Sequence, residues 1–335
     1  MRRGQIFPAS SDRVALAPMS GVTDLPFRQV AKALGAPIVV SEMIASEELV
    51  KQRKDVMRRA EGKELSPFVI QLAGREAHWM AEGAKIAQDL GADVIDINMG
   101  CPAKQVTGKL SGSALMRDLD HAQDLIKSVA GAVNIPVTLK MRLGWDRASM
   151  NAPDLARRAE SEGVRRLTVH GRTRCQFFTG KAEWSAVRAV VDATALPVFV
   201  NGDILTAHDA QTALDVSRAA GVMIGRAAYG APWLPGRIAR YLESGVDPGA
   251  PPLETQRDIA TAHIASMYAH YGTALGIKNA RKHIGWYLET SGADAALVKS
   301  WRARLCTEPN PNAVLAGLRD FYDRLLGLPL KATAA

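Results

Sequence analysis

A cysteine stands between a glycine and a proline, Gly100-Cys101-Pro102, two residues past the alternating run Asp96-Ile97-Asn98. Free cysteine is often just a small buried hydrophobe. A Gly-Cys-Pro turn, however, presents a thiol instead of packing it away. A free thiol has a pKa near ~8.5 and is mostly protonated at neutral pH, so it can act as an acid as it stands. A nucleophile would want a partner that lowers its pKa. Further on, Val137-Thr138-Leu139-Lys140-Met141-Arg142 sets two cations at alternate positions. In an extended segment Lys140 and Arg142 share one face while Leu139 and Met141 take the other, and Asp96 and Asn98 share a face in the same way. Two cations side by side want an anion or a developing negative charge. Asn201-Gly202-Asp203 and Gly225-Arg226 suggest a phosphate site. Glycines let backbone N–H groups approach a phosphate, a following helix would add its positive end, and Arg226 offers a fork of donors.

Each of these groups closes or follows a short apolar run, and the runs number eight: Val14–Pro18, Ile38–Met43, Phe68–Leu72, Val94–Asn98, Val137–Met141, Leu167–His170, Val198–Val200 and Val222–Ile224. They are rich in Val and Ile and bounded by Gly or Pro, which favours strands. Amphipathic stretches such as Ala77–Leu90 and Pro153–Glu162 separate them. Strand–helix alternation implies a parallel sheet. Eight units match a closed (β/α)8 TIM barrel, typically ~250 residues, better than a doubly wound sheet. In such a barrel the chemistry sits at the carboxyl ends of the strands. Those positions read Met19, Glu42, Gln71, Asn98, Lys140, His170, Asn201 and Gly225. Burying a neutral polar group without a partner costs roughly 2–7 kcal/mol, so a ring of them around one mouth points to a site. No strand is followed by GxGxxG or a Walker loop, which excludes Rossmann and P-loop readings.

The pattern changes near residue 240. Gly245, Pro248, Gly249, Pro251 and Pro252 mark a linker. Helical patterns follow at Thr255–Tyr271, Ile277–Thr290, Ala293–Leu305 and Asn312–Leu326. The expected organisation is an α/β chain with a barrel domain over 1–243, a linker over 244–253, and a small all-α helical bundle domain over 254–330.

Of the 335 residues 47% are apolar, enough for a substantial core, and the formal charge is +8. A basic balance favours an anionic partner such as RNA. Cys101, Cys175 and Cys306 are odd in number and far apart, with no CxxC pair. Neither a disulfide framework nor a metal site is expected, and a reducing cytoplasm fits. Met1-Arg2-Arg3 precedes no apolar stretch of leader length, and no run is long enough to span a bilayer.

Several stretches carry a family resemblance. They are Ala17-Pro18-Met19-Ser20-Gly21-Val22-Thr23-Asp24, Ser41-Glu42-Met43, Gln71-Leu72-Ala73-Gly74, Asp96-Ile97-Asn98-Met99-Gly100-Cys101-Pro102, Lys140-Met141-Arg142, His170-Gly171-Arg172-Thr173-Arg174, Asn201-Gly202-Asp203 and Ile224-Gly225-Arg226-Ala227-Ala228. Together they resemble the tRNA-dihydrouridine synthase family, and within it the B-type bacterial subfamily. Position 20 is Ser where the family pattern has Ala; both are small. The resemblance implies FMN in the barrel mouth. Pro18, Met19 and Ser20 would lie against it. Gln71, Lys140 and His170 would hold its ring and ribityl chain. Asn201, Gly202, Asp203, Gly225 and Arg226 would hold its lower part and phosphate. Cys101 would be the proton donor, and Asn98 and Arg142 would touch the uracil. The helical tail looks like the family's RNA-binding domain.

Hydride added to C6 of uracil pushes charge toward C5 and the C4 oxygen, and reduced FMN is a hydride donor. Lys140, Arg142 and Asn98 are candidate donors to that charge, and Cys101 is the candidate acid for C5. NADPH would re-reduce the flavin from the same mouth. In the tail, Ile277, Ile284 and Leu288 form an apolar stripe flanked by Lys278, Arg281 and Lys282, read as phosphate contacts or as a solvated face. Trp286, Tyr287, Trp301 and Tyr322 are expected in the core. No stable protein partner is inferred, and a monomer is expected. One rival reading is an FMN barrel that reduces a small enone or free pyrimidine, which leaves the basic tail idle. Another is a tRNA folding helper whose reductase activity is secondary.

Overall fold

The computed structural model describes residues 12–103, 106, 108 and 110–328. Met1-Arg2-Arg3 and the last two residues of the expected helical domain lie outside the described residues. Eight strands close in chain order into a parallel barrel: β1 (Val14–Leu16), β2 (Ile38–Ala45), β3 (Phe68–Ala73), β4 (Val94–Met99), β5 (Val137–Arg142), β6 (Arg166–His170), β7 (Val198–Asn201) and β8 (Gly221–Ile224). β8 returns to β1 with Val14 opposite Val222. Each strand lies within two residues of the run expected for it. Helices cover the barrel, so the strands are apolar on the outer face too, and Ile95, Ile97, Leu139 and Met141 are buried there. Inside, Ala15, Ile38, Val40, Val69, Val94, Phe199 and Met223 form an apolar cluster.

Three of the covering helices start where a side chain satisfies their first N–H groups. Asp24 accepts from Phe27 N at the head of Leu25–Ala33, and Asp118 from His121 N at the head of Leu119–Ala132. Thr206 and Asp209 form a reciprocal capping box on Ala207–Ser217. These caps fix where the loops after β1, β4 and β7 end.

The chain divides into two compact units, but not by one cut near 243. The barrel unit takes the chain up to Ala227 and resumes over Pro235–Asp247; the helical unit takes Ala228–Leu234 and everything from Pro248. Side chains in the helical unit hold the early segment. Tyr229 stacks on Trp286 with centroids 4.0 Å apart, and the Thr290 hydroxyl donates to Gly230 O at 2.8 Å. A Cβ at Gly230, which has φ +65°, would come within 2.2 Å of the Trp286 carbonyl oxygen, so only glycine fits there. Helix Leu234–Ser244 then returns to the barrel unit, with Gly236 against the backbone of Leu34 and Gly35.

The helical unit consists of Leu253–Tyr271, Thr273–Thr290, Ala295–Thr307 and Pro311–Leu325. Tyr287, Trp301 and Tyr322 are in its core as expected, while Trp286 is half-buried on Tyr229. Lys278 and Arg281 are exposed and Lys282 half-buried.

Candidate active site

The inward residues of β3, β4 and β5 form a chain of hydrogen bonds with only one workable direction. The buried Asp96 carboxylate accepts from the Thr138 hydroxyl at 2.5 Å and from Gln71 Nε2 at 2.7 Å. Because a carboxylate only accepts, the amide of Gln71 must point its nitrogen at Asp96. Its oxygen, Oε1, therefore faces Asn98 and accepts from Nδ2 at 2.7 Å. Asn98 in turn offers Oδ1 to the backbone N–H groups of Gly100 at 3.2 Å and Cys101 at 3.0 Å. The cysteine turn is thus tied to a carboxylate three side chains away. It is also held from above. Arg142 Nε donates to Gly100 O at 2.9 Å, and the Cys101 carbonyl accepts from both N and Oγ of Ser113. The backbone at Cys101 is fixed while its side chain stays partly exposed.

Burial raises the Asp96 pKa, opposed by the bonds from Thr138 and Gln71 and by the charges of Arg166 and Lys140. Lys140 Nζ donates to Asn201 Oδ1 at 3.1 Å, and Asn201 Nδ2 donates to Met223 O at 2.8 Å. Desolvation, then the neighbouring Arg142, lower the Lys140 pKa to about 8. The same cause, followed by Arg172, lowers Arg142 to about 10, so it remains a cation at neutral pH. Besides Gly100 O, Arg142 donates through Nη1 to the carbonyls of Thr173 and Phe177, both at 2.8 Å. Its Nη2 has no partner among the described residues.

His170 at the end of β6 is buried, and its pKa is well below 6.5 through desolvation and then the charges of Lys140, Arg142, Arg172 and Arg226. Its Nε2 lies 3.3 Å from Arg172 Nη1. Guanidinium nitrogen only donates, so Nε2 is the acceptor and the neutral ring carries its proton on Nδ1. Arg172 is also buried and grips Asp203 with both Nη atoms, at 3.0 and 2.5 Å. Asp203, at φ +52°, accepts from Ala182 N at 2.8 Å and from the half-exposed Arg226 at 3.3 Å. Burial works against its charge, but the bonds from Arg172 and Ala182 outweigh it and hold the carboxyl below its ordinary pKa.

The residues singled out in the sequence at the mouth of the barrel therefore come together, though several do so indirectly. Gln71 and Asn98 spend most of their polar capacity on each other and on the cysteine turn, keeping one amide N–H each. Asp203 is saturated by N–H donors, so it positions Arg226 instead of meeting a phosphate. Gly202, at φ +112°, is required because a Cβ would lie 2.7 Å from the His170 ring. Gly225 is open: a Cβ there would meet only Ala17 and Met19, at 3.9 and 4.0 Å. A three-residue 3-10 turn, Arg226–Ala228, follows β8 where a helix was expected to add its positive end. Pro18 and Met19 are half-buried and Ser20 is exposed. Lys278, Arg281 and Lys282 belong to the helical unit.

Sequence reasoning gave no role to Arg172, Asp96 or Ser113. Arg172 was detectable, since it lies two residues past His170. The role of Ser113 depends on the loop after β4 folding back, which no local pattern announces.

A closed parallel barrel whose mouth gathers a thiol, a lysine, three arginines and a neutral histidine defines a barrel enzyme built to hold an anionic heterocycle. The model of the dihydrouridine synthase family matches residues 15–319. A probable tRNA-dihydrouridine synthase of Rhizobium leguminosarum bv. phaseoli is 54% identical over 93% of this chain and 96% of its own. One from Rhodobacter capsulatus is 50% identical over 92% and 94%. The tRNA-dihydrouridine synthase B of Pseudomonas putida is 43% identical over 93% and 91%. Among solved structures, a histamine dehydrogenase from Rhizobium sp. 4-9 shares the fold with a TM-score of 0.54 at 12% identity, over 94% of this chain and 62% of that one. This chain belongs to the dihydrouridine synthase family. Its activity is the FMN-dependent reduction of the C5–C6 double bond of uridines in tRNA to 5,6-dihydrouridine, with NAD(P)H as reductant. No described helix is long and apolar enough to cross a membrane.

The mouth suits FMN on its own chemistry. The donors that remain for it are N–H groups: Lys140 Nζ, His170 Nδ1, one amide N–H of Gln71 and the half-exposed Arg226. Such a set matches flavin carbonyls and a dianionic phosphate, and the space at Gly225 gives a large planar ligand room.

Proposed function

We propose that the uridine is reduced at this mouth with Cys101 as the general acid. Carrying the reading is a contrast within one residue: the Cys101 backbone is bonded at both its N–H and its carbonyl, whereas its thiol is left partly exposed over the barrel. A proton donor must be placed to within a fraction of an ångström yet remain reachable, and this turn meets both needs. Bound FMN supplies the hydride for C6 of the uracil. Arg142 Nη2 and the remaining N–H of Asn98 serve the uracil carbonyls, where negative charge develops. Cys101 Sγ gives its proton to C5 from the face opposite the hydride. Lys140, His170 and Asn201 hold the cofactor's ring and chain, Gln71 keeps one N–H for the ring, and Pro18, Met19 and Ser20 lie along it. Gly202, Gly225 and Arg226 receive the phosphate, with Asp203 setting Arg226.

The helical unit, expected from the sequence as 254–330, binds tRNA, and the exposed Lys278 and Arg281 with Lys282 contact phosphates. NADPH is the reductant, and the enzyme works as a cytoplasmic monomer. The test of the acid is Cys101→Ala. It should keep yellow FMN and tRNA binding while turnover falls roughly 10²–10⁴-fold. Full turnover in that variant would remove Cys101 from the chemistry.

A further inference from the structure

Two phenylalanines at the mouth stand where the folded barrel unit gains little from them. Phe177 and Phe178 are each 43% exposed, with ring centroids 4.8 Å apart at 78°. Phe177 sits at φ +52°, a left-handed backbone that a side chain of its size disfavours. Strain of this kind persists where the surroundings impose it, and it collects at functional sites. Here the surroundings do impose it. Arg142 Nη1 donates to the Phe177 carbonyl at 2.8 Å, and Arg172 donates to the carbonyls of Thr179 and Gly180 at 3.1 and 2.7 Å. Thr179 closes the turn by donating through N and Oγ1 to Gln176 O. Two arginines that face the cofactor site therefore hold an exposed aromatic pair in a fixed pose.

The rings stand among cations. Phe178 lies 5.4 Å from the Arg142 guanidinium and 5.0 Å from that of Arg226, with the His170 ring at 6.4 Å. On the adjoining loop Trp145 is flanked by Arg117 at 4.9 Å and Arg174 at 4.8 Å. Aromatic faces interleaved with cations are how proteins hold unpaired nucleotides, the rings stacking on bases and the cations meeting phosphates. The uridine to be reduced must leave its stack to reach the mouth, which exposes a face of the neighbouring base.

We propose that Phe177, supported by Phe178, is a stacking platform for the tRNA base next to the uridine being reduced. This rests on the mouth being the uridine site. The loop is held rigid in advance, so little ordering cost remains when the base arrives. The same contact gives the enzyme a preference for uridines in unpaired segments, because a base locked in a duplex cannot reach the ring.

Phe177→Gly tests this, because it removes the ring and relieves the backbone together. Stability and tRNA turnover should then move apart. The melting temperature of the holoenzyme stays level or rises. Its kcat/KM for unmodified tRNA falls roughly 5- to 150-fold, the range for one base–aromatic stack. Flavin content and the rate of flavin reduction by NADPH stay as in the parent, and Phe177→Trp recovers most of the tRNA activity. Turnover of tRNA by Phe177→Gly equal to the parent's would overturn the proposal. So would an equal loss in NADPH-driven flavin reduction, which would assign the ring to the cofactor, or a fall in melting temperature alongside activity, which would assign it to packing. Cys101→Ala run in parallel separates the two claims. If it turns over freely, the acid assignment has failed, and the tRNA dissociation constant of Phe177→Gly still decides the platform alone.

Discussion

The orientation chain from Asp96 to Cys101 makes a demanding prediction, because two substitutions at one position should behave in opposite ways. In Asp96→Leu the Gln71 Nε2–H and the Thr138 hydroxyl lose their shared acceptor inside the barrel. Each stranded group costs about 1–3 kcal/mol, or roughly 2–6 kcal/mol together, against a total stability of ~5–15 kcal/mol. More important, nothing then fixes which way the Gln71 amide points. If it flips, Asn98 must flip with it, and an NH2 group then faces the N–H groups of Gly100 and Cys101. The turn loses its tether, and a shift of about 1 Å in a proton donor costs on the order of 10²-fold in rate. Asp96→Asn should escape this. Gln71 Nε2 can only donate, so the new amide turns its oxygen toward it; the Thr138 hydroxyl, which can donate or accept, reverses to take the new NH2. Every bond survives although the charge is gone. The assay is re-oxidation of pre-reduced holoenzyme by unmodified tRNA, followed by stopped-flow absorbance at pH 6.5, where Lys140 is charged. Asp96→Leu should be slowed by about 10²-fold, with faster alkylation of Cys101 in peptide maps. Asp96→Asn should stay within about threefold of the parent. An Asp96→Asn enzyme as slow as Asp96→Leu would show that the charge of Asp96 matters and its hydrogen-bond polarity does not, and would refute the reasoning.

Two further expectations concern protonation. With the Lys140 pKa near 8 before FMN binds, about nine-tenths of the apoprotein carries that charge at pH 7 and about one-tenth at pH 9. FMN affinity, read by quenching of flavin fluorescence, should therefore weaken roughly ninefold across that window in the parent and stay flat in Lys140→Met; a flat parent curve would exclude Lys140 from holding the anion. In the helical unit, burial lowers His263 to about 3 and pushes His283 well below 6.5. The unfolded chain binds these protons first, so their contribution is intact above pH 6.5 and is lost as pH falls toward about 3, by up to ~1.4 kcal/mol per pH unit for each ring. His263→Gln should lower the dependence of melting temperature on pH between 6.5 and 4, and an unchanged dependence would contradict the assignment.

The barrel was legible because its signals are local. Eight Val- and Ile-rich runs at regular intervals suffice, and alternation alone put Lys140 with Arg142 and Asp96 with Asn98. Local signals also explain the limits. Gln71 reads as a cofactor ligand, yet its partners Asp96 and Asn98 lie 25 and 27 residues away. Asp203 reads as part of a phosphate loop, and only Arg172, 31 residues earlier, shows that its carboxylate is already taken. Tyr229 and Gly230 sit inside what reads as the end of the barrel, and their allegiance is decided by Trp286 and Thr290. Hydrophobic period reports which face of a strand is inward; it carries nothing about which inward groups bond one another.

That distinction bears on what the mouth is for. Lys140, Arg142, Arg172 and Arg226 converge there, and, after desolvation, their repulsion of a protonated imidazole helps keep His170 neutral. Asp203 pairs with Arg172 and Arg226, and Asp96 acts on Lys140, but two carboxylates leave these four cations in excess. Cations crowded in this way raise the free energy of the empty mouth, and an anionic ligand that relieves the crowding stabilises the folded barrel as it binds. The cost lies in the apoprotein and is offset in the holoenzyme. For the same reason His170 is more useful neutral: it adds an N–H donor without adding a further positive charge. Cys101, the proposed acid, is held instead by backbone bonds, by the amide orientation of Asn98 and by Arg142 through the Gly100 carbonyl.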